Sequence, residues 1–301
     1  MRAELLAVGC AISLAASGML MGELKGRLGT LTVTRWNMII AALVTGTAAT
    51  VVDGWSTLDR TAIGYLLLSG LFAIIIAGPG YYGAILRIGA RSTLLLFSLN
   101  APFTAILGYF LLAERLGPMD VAGMALILTG VLLAVLYGER PPHRPKARAA
   151  RRQAQAVAIP WSGIACGLIA AFGQGVGNIA AKWGMAGGVE AFAAMAIRVG
   201  IAAVFFLLLS LLPIRALREE QEIDGYGLTI VTLSAAISMG VGMTMLMAAL
   251  ATGHVGIVST LASMAPVAVL PMVWARTGIV PSWQAWLGAV MAVAGTGLIV
   301  V

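Results

Sequence analysis

The sequence has very few charged residues for its length. Only 10% of its 301 residues are charged, whereas 60% are hydrophobic and the mean hydropathy is +0.97. Soluble domains carry about 25% charged residues, so a soluble globular fold is excluded. The net charge of +7 does not indicate nucleic-acid binding, because the basic residues lie mainly between apolar runs, where they orient helices in a membrane. We therefore expect an integral membrane protein whose surroundings are lipids, with no nucleic-acid partner.

Cysteine and histidine are also scarce. Cys10 and Cys166 lie inside apolar runs, and neither His143 nor His254 has a Cys, an Asp or a second His at metal-ligand spacing. A disulfide framework and a metal centre are therefore not expected. The sequence also has no P-loop and no nucleophile paired with a base, so we expect no cofactor, no direct coupling to ATP and no enzymatic activity.

Acidic residues are missing from the middle of every long uncharged run. Glu4, Glu23, Glu114 and Glu190 all fall near predicted helix ends. A proton-coupled exporter of lipophilic cations needs a membrane-embedded carboxylate that alternates between proton and drug. Its absence favours a neutral or zwitterionic small molecule as the substrate.

Long uncharged runs dominate what the sequence does contain. A membrane-spanning helix needs about 20 mostly apolar residues, whereas a barrel strand is a segment of roughly ten residues of alternating polarity. The runs therefore predict an all-α bundle of ten transmembrane helices. They cover residues 5–22, 36–52, 61–86, 92–113, 121–138, 153–181, 199–214, 225–253, 255–275 and 277–301.

An internal repeat organises these helices. The pattern of glycines, alanines and a proline from Gly78 to Pro102 returns from Gly242 to Pro266. Because a proline removes one backbone donor and disturbs one helical turn, we expect helix breaks or gates at Pro79, Pro102, Gly242 and Pro266. Broken helices at matching positions of two halves indicate a binding site at the membrane midplane between them.

The distribution of lysine and arginine predicts the topology. Most of them fall on one side if both termini are outside, as the positive-inside rule requires. Five spans per half make the second half an inverted copy of the first, around a central cavity. We expect a first repeat over residues 1–138, a basic cytoplasmic linker over 139–159 and a second repeat over 160–301. The membrane expected is a bacterial-type inner (plasma) membrane; a monomer is expected, and a dimer stays open.

Polar and aromatic side chains inside the spans are the candidates for substrate binding. Gln174 and Asn178 share one helix face and either line a cavity or tie helices together. Tyr81 and Tyr82 either stack on an aromatic substrate and donate to its carboxylate, or anchor the helix at the interface. Asn100 either caps carbonyls freed by the helix break or contacts the substrate.

A methionine, two arginines and a set of glycines complete the candidates. The methionine and the arginines each have a functional and a structural interpretation, and the glycines have a structural one. Met264, one of several methionines near the second break, either forms a soft wall for varied side chains or fills the core. Arg35 and Arg198 occupy matching repeat positions, and form either interhelical tethers or an anion site for a phosphate ester or nucleotide sugar. The expected packing seam between the halves is formed by glycines at a seven-residue spacing, Gly123, Gly130, Gly288 and Gly295.

Two stretches carry a resemblance to a known family. The run NAPF, from Asn100 to Phe103, followed by LLAERLGPMDVAGMALILTGVLL, and the later MAPVAVLP followed by WLGAVMAVAGTGLIVV, resemble the EamA branch of the drug/metabolite transporter (DMT) superfamily. The resemblance covers nearly the whole chain, and within the branch it is to the YddG-type aromatic amino-acid exporters. The second half departs from the pattern, because Thr277 and Gly278 stand where the first half has Ala113 and Glu114.

The resemblance implies a secondary transporter that exports amino acids, aromatic and other neutral ones, by alternating access. An exporter of another small metabolite or drug stays open, as does a nucleotide-sugar or phosphate-ester antiporter that uses Arg35 and Arg198. Substrate is expected between the halves, at Tyr81, Tyr82, Asn100, Gln174, Asn178 and Met264.

Overall fold

Every regular element that the structure describes is helical. This computed structural model describes residues 2–24, 30–137, 161–211, 223–278 and 280–300, so the predicted linker over 139–159 lies outside the described residues. The α-helices are α1 (Arg2–Gly22), α2 (Thr30–Val51), α3 (Arg60–Gly70), α4 (Ala77–Phe97), α5 (Asn100–Leu112), α6 (Pro118–Tyr137), α7 (Trp161–Met185), α8 (Ala191–Leu211), α9 (Gly225–Ala235), α10 (Thr244–Thr252), α11 (Val255–Ala262), α12 (Ala265–Thr277) and α13 (Trp283–Val300).

The helices confirm the predicted all-α membrane fold. Among the described residues, eight helical stretches are long and apolar enough to cross a membrane, and Trp283–Ile299 is a shorter apolar helix. With α2, which has 22 residues but is more polar, the helices roughly support the ten spans predicted. Arg35 and Asn37 lie in α2. The eight stretches are Arg2–Met21, Arg60–Ile85, Thr93–Leu112, Pro118–Tyr137, Trp161–Met185, Ala191–Leu211, Gly225–Thr252 and Val255–Arg276.

The two halves of the bundle run in opposite directions. At one end, which we call the terminal end, α1 begins and α7 finishes: a Cβ added to Gly253 would meet Ala3, and Lys182 contacts Gly253. At the other end, which we call the linker end, α6 finishes and α13 begins, because the Ser282 hydroxyl donates to the carbonyl of Tyr137. The inverted arrangement therefore holds in three dimensions.

A reversal of the chain lies within α4. The rings of Tyr81 and Phe97 are in edge contact, with centroids 5.1 Å apart. Sixteen residues of straight α-helix would separate them by about 24 Å. The chain therefore turns back between them, at the linker end, and this turn separates the third span from the fourth, as the sequence predicts.

Helix irregularities occur at matching places in the halves. α5 and α12 each begin just before a proline, so Pro102 and Pro266 stand in a first turn, where a backbone donor is not needed. π-helical segments at Leu71–Ile76 and Ala236–Met243 interrupt the third and eighth spans. Gly242 lies inside the second segment. Pro79 stands in the first turn of α4, directly after the first π-helical segment, so the irregularity in this span precedes the proline.

The predicted glycine seam joins α6 to α13. A Cβ on Gly130 would lie 2.4 Å from the carbonyl oxygen of Gly288, and one on Gly123 would lie 2.7 Å from that of Gly295. Only glycine allows the two backbones this close, so the seam is a fixed contact between the halves.

Candidate functional site

A cavity of about 1470 Å³ lies between the two halves. Its walls include Leu14 and Val33 from the first half and Leu246 and Leu270 from the second, so most of its surface is apolar. The exposed wall residues Gly18, Gly278 and Val280 lie toward the linker end. At its inner limit the wall residues are buried, among them Asn178, Arg198 and Ser259. The cavity is therefore open at the linker end and closed toward the terminal end.

The two amides predicted on α7 reach this cavity. Gln174 donates to the Asn178 side-chain oxygen at 3.2 Å, and Asn178 donates to the Ser259 hydroxyl of α11 at 3.0 Å. Asn178 thus lines the cavity and also ties two helices together, so both readings of the sequence apply. Close approach of Gly173 and Gly177 to the third span brings α7 near enough to place these amides in the wall.

The first-half candidates behave differently from one another. Tyr81 lines the cavity beside Phe97, and Asn100 lines it while donating to the Phe97 carbonyl at 2.8 Å. Asn100 therefore caps the carbonyl freed at the break, as one of its two readings predicts, and also faces the cavity. The side chain of Tyr82 lies outside the described residues.

The remaining predicted residues divide between wall and packing. Pro266 lines the cavity, whereas Pro79 and Pro102 are not among its wall residues. Gly242 packs on α1, where an added Cβ would lie 2.8 Å from that of Ser13. Met264 is buried and its sulfur accepts from Thr296 of α13 at 3.3 Å, so it joins the core instead of forming the wall.

The two arginines at matching repeat positions lie in different surroundings. Arg198 is fully buried in the cavity wall, whereas Arg35 is not a wall residue. Nη1 of Arg198 donates to the sulfur of Met247 at 3.0 Å, and its Nε and Nη2 atoms have no hydrogen-bond partner among the described residues. The predicted two-arginine anion site is therefore not assembled in this structure.

Several wall residues were not predicted from the sequence. Ser17 of α1 and Ser234 of α9 share a hydrogen bond of 2.6 Å between the halves, and Asn37 of α2 also faces the cavity. Asn37 is a single amide in an otherwise apolar run, which is the signal that marks it. The hydroxyls of Ser17 and Ser234 carry no comparable signal, because serine is common in helix packing.

Polar contacts between the halves close the terminal end. Ala113, with a left-handed φ of 53°, ends α5 and places the Glu114 carboxylate where it accepts from the Val255 N–H at 2.9 Å. The N-terminus of α11 favours an anion at this position. His254 of the second half lies 3.6 Å from the same carboxylate. Within the second half, the Lys182 ammonium donates to the carbonyl of Gly253 at 2.7 Å and holds this loop in place.

A second polar contact joins the halves at the linker end. Glu23 accepts from the hydroxyl of Tyr226 and from the guanidinium of Arg276. The hydrogen bond from Tyr226, followed by that from Arg276, lowers the pKa of the Glu23 carboxyl below its usual value. This contact lies beside the mouth and leaves the cavity open.

Comparisons with known proteins agree with this architecture. A family model described as the EamA-like transporter family matches residues 1–136 and 161–301. One solved crystal structure superposes with a TM-score of 0.78 at 17% sequence identity, covering 98% of this chain and 95% of that one, which shows a shared fold. No curated protein matches the chain. In the part of the chain that the structure describes, no group of three or more His, Cys, Asp or Glu residues is placed to hold a metal ion.

Proposed function

We propose that this chain, which belongs to the EamA-like transporter family, is a secondary transporter that exports amino acids, aromatic and other neutral ones, through the central cavity. Membership of the family makes it a transporter of small substrates. The observation that supports the finer proposal is the wall itself, which combines aromatic and amide side chains and contains no Asp or Glu among the described residues.

The wall suits a zwitterion with an apolar side chain. An aromatic substrate can pack on the edge-to-face pair of Tyr81 and Phe97. The side-chain oxygens of Gln174, Asn178 and Asn100 can accept from its ammonium group, while the apolar wall contacts the rest. A lipophilic cation would need a membrane-embedded carboxylate as its partner, and the described wall residues provide none.

Alternating access follows from the inverted halves. Each half can adopt the conformation that the other has now, and this exchange would open the terminal end and close the linker end. The charge distribution of the sequence supports a cytoplasmic linker end with both termini outside, and the membrane proposed is a bacterial-type inner membrane. The state described here would then be inward-open, ready to load a substrate for export, and one chain would suffice as a monomer.

The antiporter alternative has less support. A nucleotide sugar or phosphate ester carries at least two negative charges at neutral pH, and the alternative needs Arg35 as well as Arg198. Since Arg35 is not in the wall, the cavity offers one cation in the described residues. A neutral metabolite or drug remains an outcome of the transport assay.

Transport in reconstituted vesicles tests the proposal. We expect exchange of radiolabelled L-phenylalanine by the wild-type protein, and a reduction of roughly tenfold in Tyr81→Ala and in Asn178→Ala, because each removes a wall contact worth about 1–1.5 kcal/mol. We expect the rate of L-phenylalanine exchange to fall in Tyr82→Ala as well. The matched controls are Tyr109→Ala, at an exposed tyrosine outside the cavity, and Ser13→Ala.

The result that contradicts the proposal is equally definite. If the folded wild-type protein exchanges no amino acid, amino acids are rejected as its substrate class. Wild-type rates in Tyr81→Ala and Asn178→Ala, with folding verified, would place the transport route elsewhere.

A further inference from the structure

We propose that Arg198 binds the carboxylate of the substrate at the inner limit of the cavity, and that the substrate carries a single carboxylate. This inference rests on the proposed transport function, and it adds the chemical group that the site recognises. It begins from one observation: a fully buried guanidinium in the cavity wall has two donor atoms that find no partner in the part of the chain that the structure describes.

The free atoms form one edge of the guanidinium. Nη1 is occupied by the sulfur of Met247, which leaves Nε and Nη2, the two nitrogens whose N–H groups point side by side. This edge matches the two oxygens of a carboxylate in a bidentate arrangement. A tether that joins helices would use the same edge for a carbonyl or a carboxylate of a neighbouring helix, and the described residues supply none.

Burial makes this arrangement costly unless a ligand completes it. An unpaired charge in an apolar interior is strongly unfavourable, and the thioether that contacts Nη1 is only a weak acceptor. The titratable group that interacts with Arg198 is the thiol of Cys10, not a carboxylate. An ionisable residue kept inside a membrane without a structural partner indicates a function.

The charges of the cavity select the class of ligand. Among the described wall residues Arg198 is the one cation, because Arg35 is not in the wall and Lys182 lies at the terminal end on the carbonyl of Gly253. A monocarboxylate balances one guanidinium, whereas a phosphate ester would retain an uncompensated charge. Asn178 lines the same inner limit and offers an amide to the other polar group of a zwitterion.

Entry of the carboxylate requires a local movement. Nε and Nη2 have essentially no exposed surface in this state, so a side chain around the guanidinium must be displaced. Met247 contacts the guanidinium directly, and its unbranched side chain can change rotamer at low cost. The sulfur of Met247 therefore holds the guanidinium through Nη1, and a rotamer change of Met247 lets the Nε–Nη2 edge turn toward an anion in the cavity.

Thermal stability with and without ligand tests the inference. The probes are L-phenylalanine, L-phenylalaninamide, which lacks the carboxylate, and 3-phenylpropionate, which lacks the amine. We expect the wild-type melting temperature to rise with the two carboxylates and little with the amide. Arg198→Met, which fills the same space without charge, should leave the ligand-free melting temperature equal or higher, and weaken L-phenylalanine binding roughly ten- to a hundredfold. Arg35→Met is the matched control and should bind like the wild type.

The outcomes separate this inference from the proposed function. A lower ligand-free melting temperature in Arg198→Met, with the preference for L-phenylalanine over its amide intact, would make Arg198 a tether and overturn the inference. Equal binding of L-phenylalanine and its amide by the wild type would overturn it while amino-acid transport stands. Binding of 3-phenylpropionate alone, lost in Arg198→Met, would support Arg198 and reject amino acids as substrates.

A second variant covers failure of the first to fold. Arg198→Lys keeps the charge but replaces the two-donor edge with a single ammonium. We expect it to bind L-phenylalanine more weakly than the wild type does. Wild-type affinity in Arg198→Lys would overturn the bidentate arrangement, and a wild-type protein that binds neither carboxylate would overturn the inference altogether.

Discussion

The two ends of this transporter differ in how the halves meet. At the terminal end, Glu114 of the first half accepts from the Val255 N–H of the second half and closes the cavity, while Lys182 binds the Gly253 carbonyl within the second half. At the linker end, Glu23 joins the halves beside the mouth, but the wall continues to exposed Gly278 and Val280. The same inverted repeat thus has a closed end and an open end in one state.

This difference identifies the contacts that must break when the cavity opens at the other end. The terminal closure includes the hydrogen bonds of Glu114, each worth about 1.5–3 kcal/mol where buried and less where water competes. It also includes packing of α5 on α11, where a Cβ on Gly256 would lie 2.9 Å from that of Ala105. A transporter must open this end in each cycle, so both contacts must separate. The glycine seam of α6 and α13, in contrast, need not open.

Overpacking the seam is expected to have the largest effect. In Gly130→Leu the new side chain would collide with the backbone of α13 at Gly288. We expect a loss of about 1–3 kcal/mol or more of stability, and loss of transport, because both ends depend on this contact. Gly64→Leu is the control, since an added Cβ there meets nothing within 4 Å. Equal melting temperatures for the two variants would show that the seam is not a fixed contact.

Weakening the contact of Glu114 at the terminal end is expected to have the second-largest effect. Glu114→Gln removes the charge that holds the N-terminus of α11, and we expect the open-terminal state to gain about 1–2 kcal/mol, or roughly five- to thirtyfold in population. Labelling of a cysteine at Ala262, in protein lacking Cys10 and Cys166, by an impermeant thiol reagent from the terminal side should accelerate accordingly.

The control for this experiment lies at the same end. Asp120 accepts from the Gly117 N–H within the first half, so Asp120→Asn removes a similar bond that does not join the halves. Its labelling rate should match that of the wild type. Acceleration by Asp120→Asn as large as that by Glu114→Gln would mean that the closure does not depend on the contact with Val255.

The linker-end contact should give the smallest effect, and it should depend on pH. Because the folded-state pKa of Glu23 is lowered, its contribution to stability is present above the usual pKa of a glutamate and is lost as the pH falls through the lowered value. The melting temperature of Glu23→Gln should therefore be slightly below that of the wild type at neutral pH. The gap should close in strong acid, and a gap that widens there would contradict the assignment.

Features encoded locally could be predicted from the sequence. Run lengths defined the ten spans, and Pro102 and Pro266 marked the breaks because a proline acts on its own helical turn. The spacing of Gly123, Gly130, Gly288 and Gly295 predicted the seam. Gln174 and Asn178 were placed on one face by helix geometry alone.

Features that depend on the conformational state could not be predicted in this way. Arg35 and Arg198 occupy equivalent positions in the repeat, so no local pattern tells which one faces the cavity. The partner of Glu114 is a backbone N–H of the other half, and a sequence does not display backbone donors. Met264 was expected in the wall, but its orientation depends on Thr296, which packs from a distant helix.

The central claim is that the two ends open in alternation around one cavity. Distances between paired spin labels test it most directly, with Arg115 and Ala186 labelled across the terminal end, and Arg87 and Val280 across the linker end, in protein lacking Cys10 and Cys166. We expect L-phenylalanine to populate a state with a longer terminal-end distance and a shorter linker-end distance. Two distances that stay fixed with substrate, or lengthen together, would contradict alternating access.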